Sequence, residues 1–199
     1  MATRTGMSNV ILELRGMTNA GTADATVGAT TYWSDQQLQD MLDRYARQYN
    51  DYMLTPDADD INGTAIYKRY LMPPYRFEEA DSGTAVWRLT NSAGSAFGTA
   101  AYSINYAMGE VTMASDQDGS AVYLTAKAFS LNRAAAEVWA WKASHYSDRY
   151  DVQTDNHRLS RSQLIRNAQA QAQHYRNEAI AERVRAGEAT SRVKRIDIN

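Results

Sequence analysis

The sequence predicts an α+β fold that is mainly an α-helical bundle of about four helices, with an inserted antiparallel β segment and an extended C-terminal arm. Three observations lead to this prediction. Two helix starts share one capping pattern, the hydrophobic period falls to two residues in the middle of the chain, and the end of the chain has no helical stripe. We therefore divide the chain into a discontinuous helical body over 1–56 and 130–187, the β segment over 57–129 and the arm over 188–199.

The composition is that of an ordinary soluble globular protein, with 199 residues, 44% hydrophobic, 22% charged and a formal charge of −2. No apolar run approaches the roughly 20 residues that cross a bilayer, and no apolar signal core follows the first residues, so we expect neither a membrane nor export. The absence of cysteine excludes disulfides and thiolate chemistry and fits synthesis in a reducing cytoplasm.

The two parts of the chain differ in charge. Residues 1–128 carry 9 Lys and Arg against 15 Asp and Glu, a net −6, whereas residues 129–199 carry 12 against 8, a net +4. Opposite charges on two parts of one chain can complement each other within a subunit or between subunits.

The first part of the helical body contains two predicted helices. The spacing of apolar residues from Met7 to Thr18 predicts a short first helix, and the stretch 18–31 reads as a loop. Ser34 and Gln37 then form a capping box that starts the second helix. Its apolar face recurs at helical spacing as far as Tyr52, and Thr55-Pro56 is predicted to end it. That face consists of Leu38, Met41, Leu42, Tyr45, Tyr49 and Tyr52.

The β segment is recognised by its period of two and by its turn residues. We predict strands over Thr64–Leu71, Thr84–Thr90, Tyr102–Ala107, Glu110–Met113 and Ala121–Phe129. Met108-Gly109 is predicted to form a hairpin turn with glycine at positive φ.

Two further helices follow the β segment. The alanine-rich run from Ala134 predicts a helix that continues to about Arg149, and a turn is expected over 151–157. Leu159 to Leu164 repeats the capping pattern, so the last helix is predicted to start near Arg161 and to stop at Gly187. This helix is poor in large apolar residues, so we expect it to pack closely on one side and to meet another subunit or solvent on the other.

A search for chemistry finds no catalytic or metal-binding constellation. The three histidines, His145, His157 and His174, lie far apart and outside any metal-binding helix pair, and no phosphate loop or nucleophile elbow is present. Trp139 follows a helical stripe that indicates core, whereas Trp141 lies off that stripe and is expected to contact a partner. We predict no enzyme activity, no cofactor and no metal site.

Two charged segments stand out as candidates for contact with a partner. The arm alternates apolar and basic side chains, as expected of a segment that docks on another protein. Its docking residues are Arg192, Val193, Lys194, Arg195, Ile196 and Ile198. The acidic residues of the β segment read as exposed loops, and if they face a DNA channel they would repel its phosphates. These residues are Asp57, Asp59, Asp60, Glu78, Glu79 and Asp81.

Several phrases resemble the head-to-tail adaptor (head-tail connector) proteins of tailed bacteriophages. They are WSDQQLQDMLDRY, NYAMGEVTMA, GSAVYLTAKAFSLNRAAAEVWAWKASHY and DVQTDNHRLSRSQLIRNAQAQAQHYR, and the resemblance covers roughly residues 7–180. It implies a structural subunit that forms a ring, typically a dodecamer, beneath the portal protein, extends the DNA channel and docks the tail or stopper protein. It also implies that DNA passes without specific binding, and that the protein is made in the host cytoplasm and resides in the neck of the virion.

Three other functions are compatible with these sequence features. A stopper or tail-completion protein of the phage neck would bind the adaptor and not the portal. A nucleic-acid-binding packaging or regulatory protein would use the C-terminal basic residues, Arg183, Arg185, Arg192, Lys194 and Arg195. An enzyme would need a pocket that gathers His145, Asp155 and His157.

Overall fold

Helical and extended segments alternate along the chain, and strands hold nearly as many residues as helices. The computed structural model describes residues 3–61, 63–79, 87–147, 152–154, 157–159 and 161–186. In chain order the elements are α1 Ser8–Thr18, β1 Ala25–Val27, β2 Thr30–Tyr32, α2 Asp35–Arg44, β3 Ala46–Met53, β4 Thr55–Ile61, β5 Thr64–Leu71, β6 Arg76–Phe77, β7 Arg88–Asn91, β8 Tyr102–Asn105, β9 Glu110–Met113, β10 Val122–Phe129, α3 Leu131–Ser147, β11 Val152–Thr154, β12 His157–Leu159 and α4 Arg161–Arg185.

The prediction of a mainly α-helical bundle is wrong. The described residues form four α-helices and twelve strands, and all strand pairs are antiparallel. The largest single error lies after α2, which ends at Arg44 instead of continuing to Tyr52. The predicted boundary of the β segment at residue 57 is therefore eleven residues too late, because β3 begins at Ala46.

The tyrosine spacing after α2 was misread because it suits a strand as well as a helix. Tyr49 pairs with Ala126 of β10, and Tyr52 pairs with Leu124 of the same strand. Tyrosine is a favourable strand residue, and the buried central strand β10 offers a partner that the sequence alone does not reveal. Tyr49 packs against the ring of Phe77 with 6.1 Å between centroids, so the side chain belongs to the sheet core.

Two four-stranded sheets form the β part. In the first, β10 is central, with β3 on one side and β6 and β7 on the other. In the second, the order is β4-β5-β9-β8. Strands β5 and β9 have the predicted bounds, and Gly109 takes the predicted positive φ, at 69°. Part of the predicted Thr84–Thr90 strand lies outside the described residues.

A helical core lies beside the sheets. The predicted capping box is present, with the Ser34 hydroxyl accepting from the Gln37 amide at 3.2 Å and the Gln37 side chain accepting from the Ser34 amide at 2.8 Å. The fully buried Leu38 and Trp33 pack with α1 and α3. The 18–31 stretch was predicted to be a loop, but it also contains the short hairpin β1–β2.

A buried lysine ties α3 to the end of α1. Lys142 is 6% exposed, and its Nζ donates to the carbonyl oxygens of Thr18 at 3.0 Å and Asn19 at 2.8 Å. The same Nζ lies 2.9 Å from a carboxylate oxygen of Asp24. Since the last carbonyls of a helix have no partner within it, this ammonium serves as the C-terminal cap of α1.

The N-terminal segment is held by a second charged cluster. The Arg4 guanidinium forms two 2.8 Å bonds to the Asp43 carboxylate of α2 and a third of 2.8 Å to Glu78. Lys127 of β10 also donates to Asp43, at 2.8 Å. Burial opposes ionisation of Asp43, but the bonds from Arg4 and Lys127 outweigh it and hold the pKa of this carboxyl below its ordinary value.

Candidate functional site

The last two helices form an antiparallel hairpin whose contact face is built from small residues. Ala136 and Ala143 of α3 are buried, as are Ala172 and Ala179 of α4 beside them. Small side chains let two helix axes approach closely. Helix α4 has 25 residues and is therefore about 37 Å long at 1.5 Å per residue. Only one side of it is covered by α3 and its neighbours.

A groove runs between α3 and α4, and we call it the arginine groove. It has a volume of about 470 Å³. Its floor is largely apolar, and three guanidinium groups surround it. The lining consists of Tyr45, Arg133, Ala136, Glu137, Ala140, Arg176, Ala179, Ile180 and Arg183. A second cavity of about 390 Å³ shares Ala140 and Arg176 with the first, so the groove continues along the hairpin toward Ser147 and Ile165.

The three arginines of the groove have no carboxylate partner among the described residues. Arg133 lies over the ring of Tyr45, 5.9 Å from its centroid, whereas Arg176 and Arg183 are exposed on α4. The one carboxylate in the groove, Glu137, is already engaged by Arg44 and by the Tyr45 hydroxyl, which donates to it at 2.8 Å. Burial together with this hydrogen bond raises the pKa of the Tyr45 phenol. The groove is therefore electropositive.

Two large apolar side chains of α4 stand in solvent beside these arginines. Ile180 is 61% exposed and Val184 is 57% exposed, and the two lie one turn apart. Covering either with a partner would contribute about 1 to 2 kcal/mol, given the 1.5 to 3 kcal/mol expected for burying such a side chain completely. The same stripe of the helix carries Arg176 and Arg183. Exposed apolar residues with arginine around them are typical of protein-binding surfaces.

The opposite side of α4 is anchored by a buried carboxylate. Glu182 is 7% exposed, and its Oε2 accepts from the Ser130 hydroxyl at 2.5 Å. Burial raises the pKa of Glu182, although the Ser130 bond and the nearby Arg133 and Arg185 act in the other direction. This contact orients α4 on the β10–α3 junction and so determines which face of α4 lines the groove.

The β4–β5 hairpin and the turn after β9 carry a group of carboxylates that we call the acidic tip, made of Asp57, Asp59, Asp60, Asp116 and Asp118. The first three belong to the edge strand β4, and the other two to the turn after β9. The turn is held against β5, where the Tyr67 amide donates to Asp116 at 2.9 Å. Arg69 pairs with Asp57 at 3.1 Å and with Asp59 at 2.6 Å, so the tip keeps an excess of negative charge.

The structure separates the six acidic residues that the sequence groups as exposed loops. Asp57, Asp59 and Asp60 lie on strand β4, at least 18 residues before the other three in the sequence. Glu78 is only 6% exposed and is bound to Arg4, so the expected exposure of this residue is wrong. Glu79 accepts from Asn9 at 2.7 Å beside α1. Asp81 lies outside the described residues, as do all six docking residues of the arm, Arg192, Val193, Lys194, Arg195, Ile196 and Ile198.

The aromatic residues of α3 are placed differently from the prediction. Trp141, expected to contact a partner, packs against the helical core with its ring 4.8 Å from that of Trp33. Its position is a consequence of the β1–β2 hairpin, which brings Tyr32 within 4.3 Å of the same ring. Trp139 donates from Nε1 to the Met17 carbonyl at 3.2 Å. Both indoles are half-buried and are engaged in contacts within the chain.

The histidines do not form a common site in the described part of the chain. His145 stacks on Trp141 with 5.2 Å between rings, and His174 lies beside Tyr175 on α4. Asp155 lies outside the described residues, and the side chain of His157 is likewise not described. Among the described residues there is no group of three or more His, Asp or Glu side chains that could hold a metal ion.

The arginine groove was not predicted from the sequence, although a signal for it was present. Arg176 and Arg183 are seven residues apart, with Ile180 between them, which places all three on one helix stripe. What the sequence could not show is that α3 brings Arg133 to the same place. None of the helices in the described part is long and apolar enough to cross a bilayer. Comparison of the chain with protein-family models, curated proteins and solved structures finds no match.

Proposed function

We propose that this chain is a structural head-to-tail adaptor of a tailed bacteriophage, which forms a ring under the portal protein, extends the DNA channel and docks the tail. The observation that carries the proposal is the uncovered stripe of α4, where Ile180 and Val184 stand in solvent beside two arginines without carboxylate partners. Such a stripe is suited to contact with protein. The sequence resemblance to adaptor proteins supplies the identity of the assembly.

The arrangement of the last helices supports an assembly role over a catalytic one. The arginine groove is open along the hairpin, and its only carboxylate is held by Arg44 and Tyr45. The groove can instead bind a surface that offers carboxylates and small apolar side chains.

The proposal assigns the arm, residues 188–199, to the portal protein. Its alternating basic and apolar residues suit a segment that lies along another protein. The test mixes the purified full chain with the portal protein encoded by the same genome and images the mixture by electron microscopy. A ring on the portal is expected for the full chain, and its loss for the variant that lacks 188–199. The double variant Ile196→Asp/Ile198→Asp keeps the length of the arm, and we expect it to bind at least about tenfold more weakly.

Failure to form a ring or a complex with the portal would refute the adaptor function. Binding to the portal that survives deletion of 188–199 would refute the assigned role of the arm alone. A stopper or tail-completion protein would bind a preformed adaptor ring and leave the portal free, so the same images distinguish that alternative. Self-association in solution is not required, because a ring can form only on its partner.

A second candidate, binding of nucleic acid, is favoured by one observation. Arg176 and Arg183 are exposed and have no carboxylate partner in the described part of the chain. If they bind phosphates, affinity for a DNA duplex falls steeply with salt, and each lost contact lowers the slope by roughly 0.9. Ile180 and Val184 argue against this function, since apolar side chains gain nothing from a phosphate backbone. Anisotropy of labelled duplex DNA at 50 and 200 mM salt decides the question.

A further inference from the structure

The arginine groove and the acidic tip lie on different parts of the fold. Along β5, Asp60 pairs with Ala65 and Asp59 with Ile66, near the Thr64 end, whereas Asp57 pairs with Arg69. Beyond Leu71 the chain turns to the helical layer, where Arg76 binds the Ala107 carbonyl at 3.0 Å and Glu13 of α1 at 2.8 Å. Asp59 and Asp60 therefore lie near the end of β5 opposite to the end that continues toward the helical layer.

Neither charged surface is complementary to itself. Two copies of the groove placed face to face would bring Arg133, Arg176 and Arg183 against the same three residues. Two copies of the tip would oppose carboxylates to carboxylates. Like charges in direct contact are costly, so a symmetric pairing through either surface is disfavoured. A contact between the groove of one copy and the tip of another satisfies both.

We propose that neighbouring copies of this chain associate head to tail, with the acidic tip of one copy seated in the arginine groove of the next. The tip offers the carboxylates that the three arginines lack, and Ala58, between Asp57 and Asp59, is an exposed position of the same strand. A contact between two different surfaces propagates in one direction and closes into a ring when the rotation permits. The proposal rests on the proposed adaptor function for the ring, although not for the contact itself.

This assignment replaces the channel-facing role that the sequence suggests for Asp57, Asp59 and Asp60. Carboxylates on an edge strand also protect it from pairing with other strands, and β4 is an edge strand whose register with β5 shifts between Asp57 and Asp59. Protection alone predicts no contact between the tip and the groove. The two explanations therefore give different results when the two surfaces are tested against each other.

Cysteine cross-linking tests the contact directly, because the natural chain has no cysteine. Ile180→Cys places a thiol in the groove, and Ala58→Cys places one in the tip; both positions are exposed, so each variant is expected to fold. The two proteins are mixed in equal amounts under mild oxidation at low salt. We expect mixed dimers to exceed either homodimer at least tenfold. Leu12→Cys, 66% exposed on α1, replaces either partner as the control and should give only background cross-linking.

Charge variants then identify the interaction that brings the thiols together. Adding Arg176→Glu and Arg183→Glu to the groove protein is expected to lower the yield of mixed dimer at least tenfold, whereas Arg166→Glu, an exposed arginine of α4 outside the groove, should change it less than twofold. The tip variant Asp57→Asn/Asp59→Asn/Asp60→Asn/Asp118→Asn keeps the shape and the hydrogen-bond acceptors, and it should also reduce the yield.

The outcomes separate the contact from the function. Homodimers of Ile180→Cys in excess over mixed dimers would show a symmetric contact and overturn the proposal. Equal yields with the Leu12→Cys control would overturn it too. If the two cysteine variants together form a ring on the portal and the thiols still do not cross-link within that ring, the head-to-tail contact is wrong and the adaptor function stands. If they cross-link and no portal complex forms, the contact stands and the adaptor function fails.

Discussion

We expect removal of the Lys142 ammonium to destabilise the fold more than removal of any other single buried charged group described above. Lys142→Met keeps most of the side-chain volume and the packing beside Trp139, but deletes the donors to the carbonyl oxygens of Thr18 and Asn19 and to Asp24. Two carbonyls at the end of α1 and one carboxylate lose their partner. Asp24 is 29% exposed and recovers part of its hydration, whereas Thr18 is fully buried and recovers none.

The magnitude follows from these contacts. Removing one partner of a buried charge interaction costs about 3 to 5 kcal/mol, and hydrogen bonds to a charged group contribute about 1.5 to 3 kcal/mol each. Because Asp24 remains partly hydrated, we expect about 3 kcal/mol for Lys142→Met. That is a large share of the 5 to 15 kcal/mol typical of a native domain. For a chain of this length it lowers Tm by about 6 to 12 °C.

Urea denaturation followed by circular dichroism measures the loss, and Lys68→Met is the matched control. Lys68 lies on β5, forms no ion pair among the described residues and should cost less than about 0.5 kcal/mol. The variant Asp24→Asn, combined with Lys142→Met, isolates the ion pair from the two carbonyl bonds. A loss below about 1 kcal/mol for Lys142→Met, with an unchanged urea dependence, would refute the capping role.

Three further predictions concern the helices and their pH dependence. Asp43→Asn should lower the stability of the fold at pH 7 and lower it less at pH 3. The lowered pKa of Asp43 contributes stability that is present above the ordinary carboxyl pKa and is lost as the pH falls through the pKa of the folded state. Equal losses of stability at both pH values would contradict this. For Glu182 the sign is reversed, because its raised pKa makes the native state less stable as the pH rises from the ordinary value through the folded one. Glu182→Gln, which can still accept from Ser130, should therefore raise Tm at pH 7 and raise it less at pH 4; a lower Tm at pH 7 would argue against the assignment. Ser34→Ala should cost about 1 kcal/mol in urea denaturation through loss of the capping box, and a change under 0.3 kcal/mol would mean that α2 does not depend on it.

The groove and the tip are two different surfaces of one small chain. Each surface is made from elements distant in sequence: α2, α3 and α4 contribute to the groove, and β4 and the turn after β9 contribute to the tip. Glu182 and Ser130 hold α4 in the orientation that exposes Ile180. If copies associate through the groove as proposed, a substitution that loosens this buried anchor is expected to weaken that contact without changing a residue of either surface.

Local signals in the sequence were reliable where a few neighbouring residues determine the structure. The start of α4 at Arg161 and the bounds of β5 and β9 match the prediction. The capping box of Ser34 and Gln37 and the positive φ of Gly109 follow from contacts within a few residues. These features depend on side-chain to backbone bonds and on steric limits of φ, which do not require knowledge of the rest of the chain.

The tertiary structure decided everything that depends on a distant partner. The spacing of Tyr45, Tyr49 and Tyr52 fits a helix. Tyr49 and Tyr52 nevertheless pair with β10, a buried strand more than seventy residues away that would have no neighbour on that side without them. Burial of Glu78 against Arg4 and of Trp141 against Trp33 likewise required folding of the whole chain. The sequence by itself determined the local helix starts, turns and charge asymmetry of this protein. Only the tertiary structure brought Arg133 to Arg176 and Arg183, because spatial proximity between distant segments is set by packing, which no local pattern records.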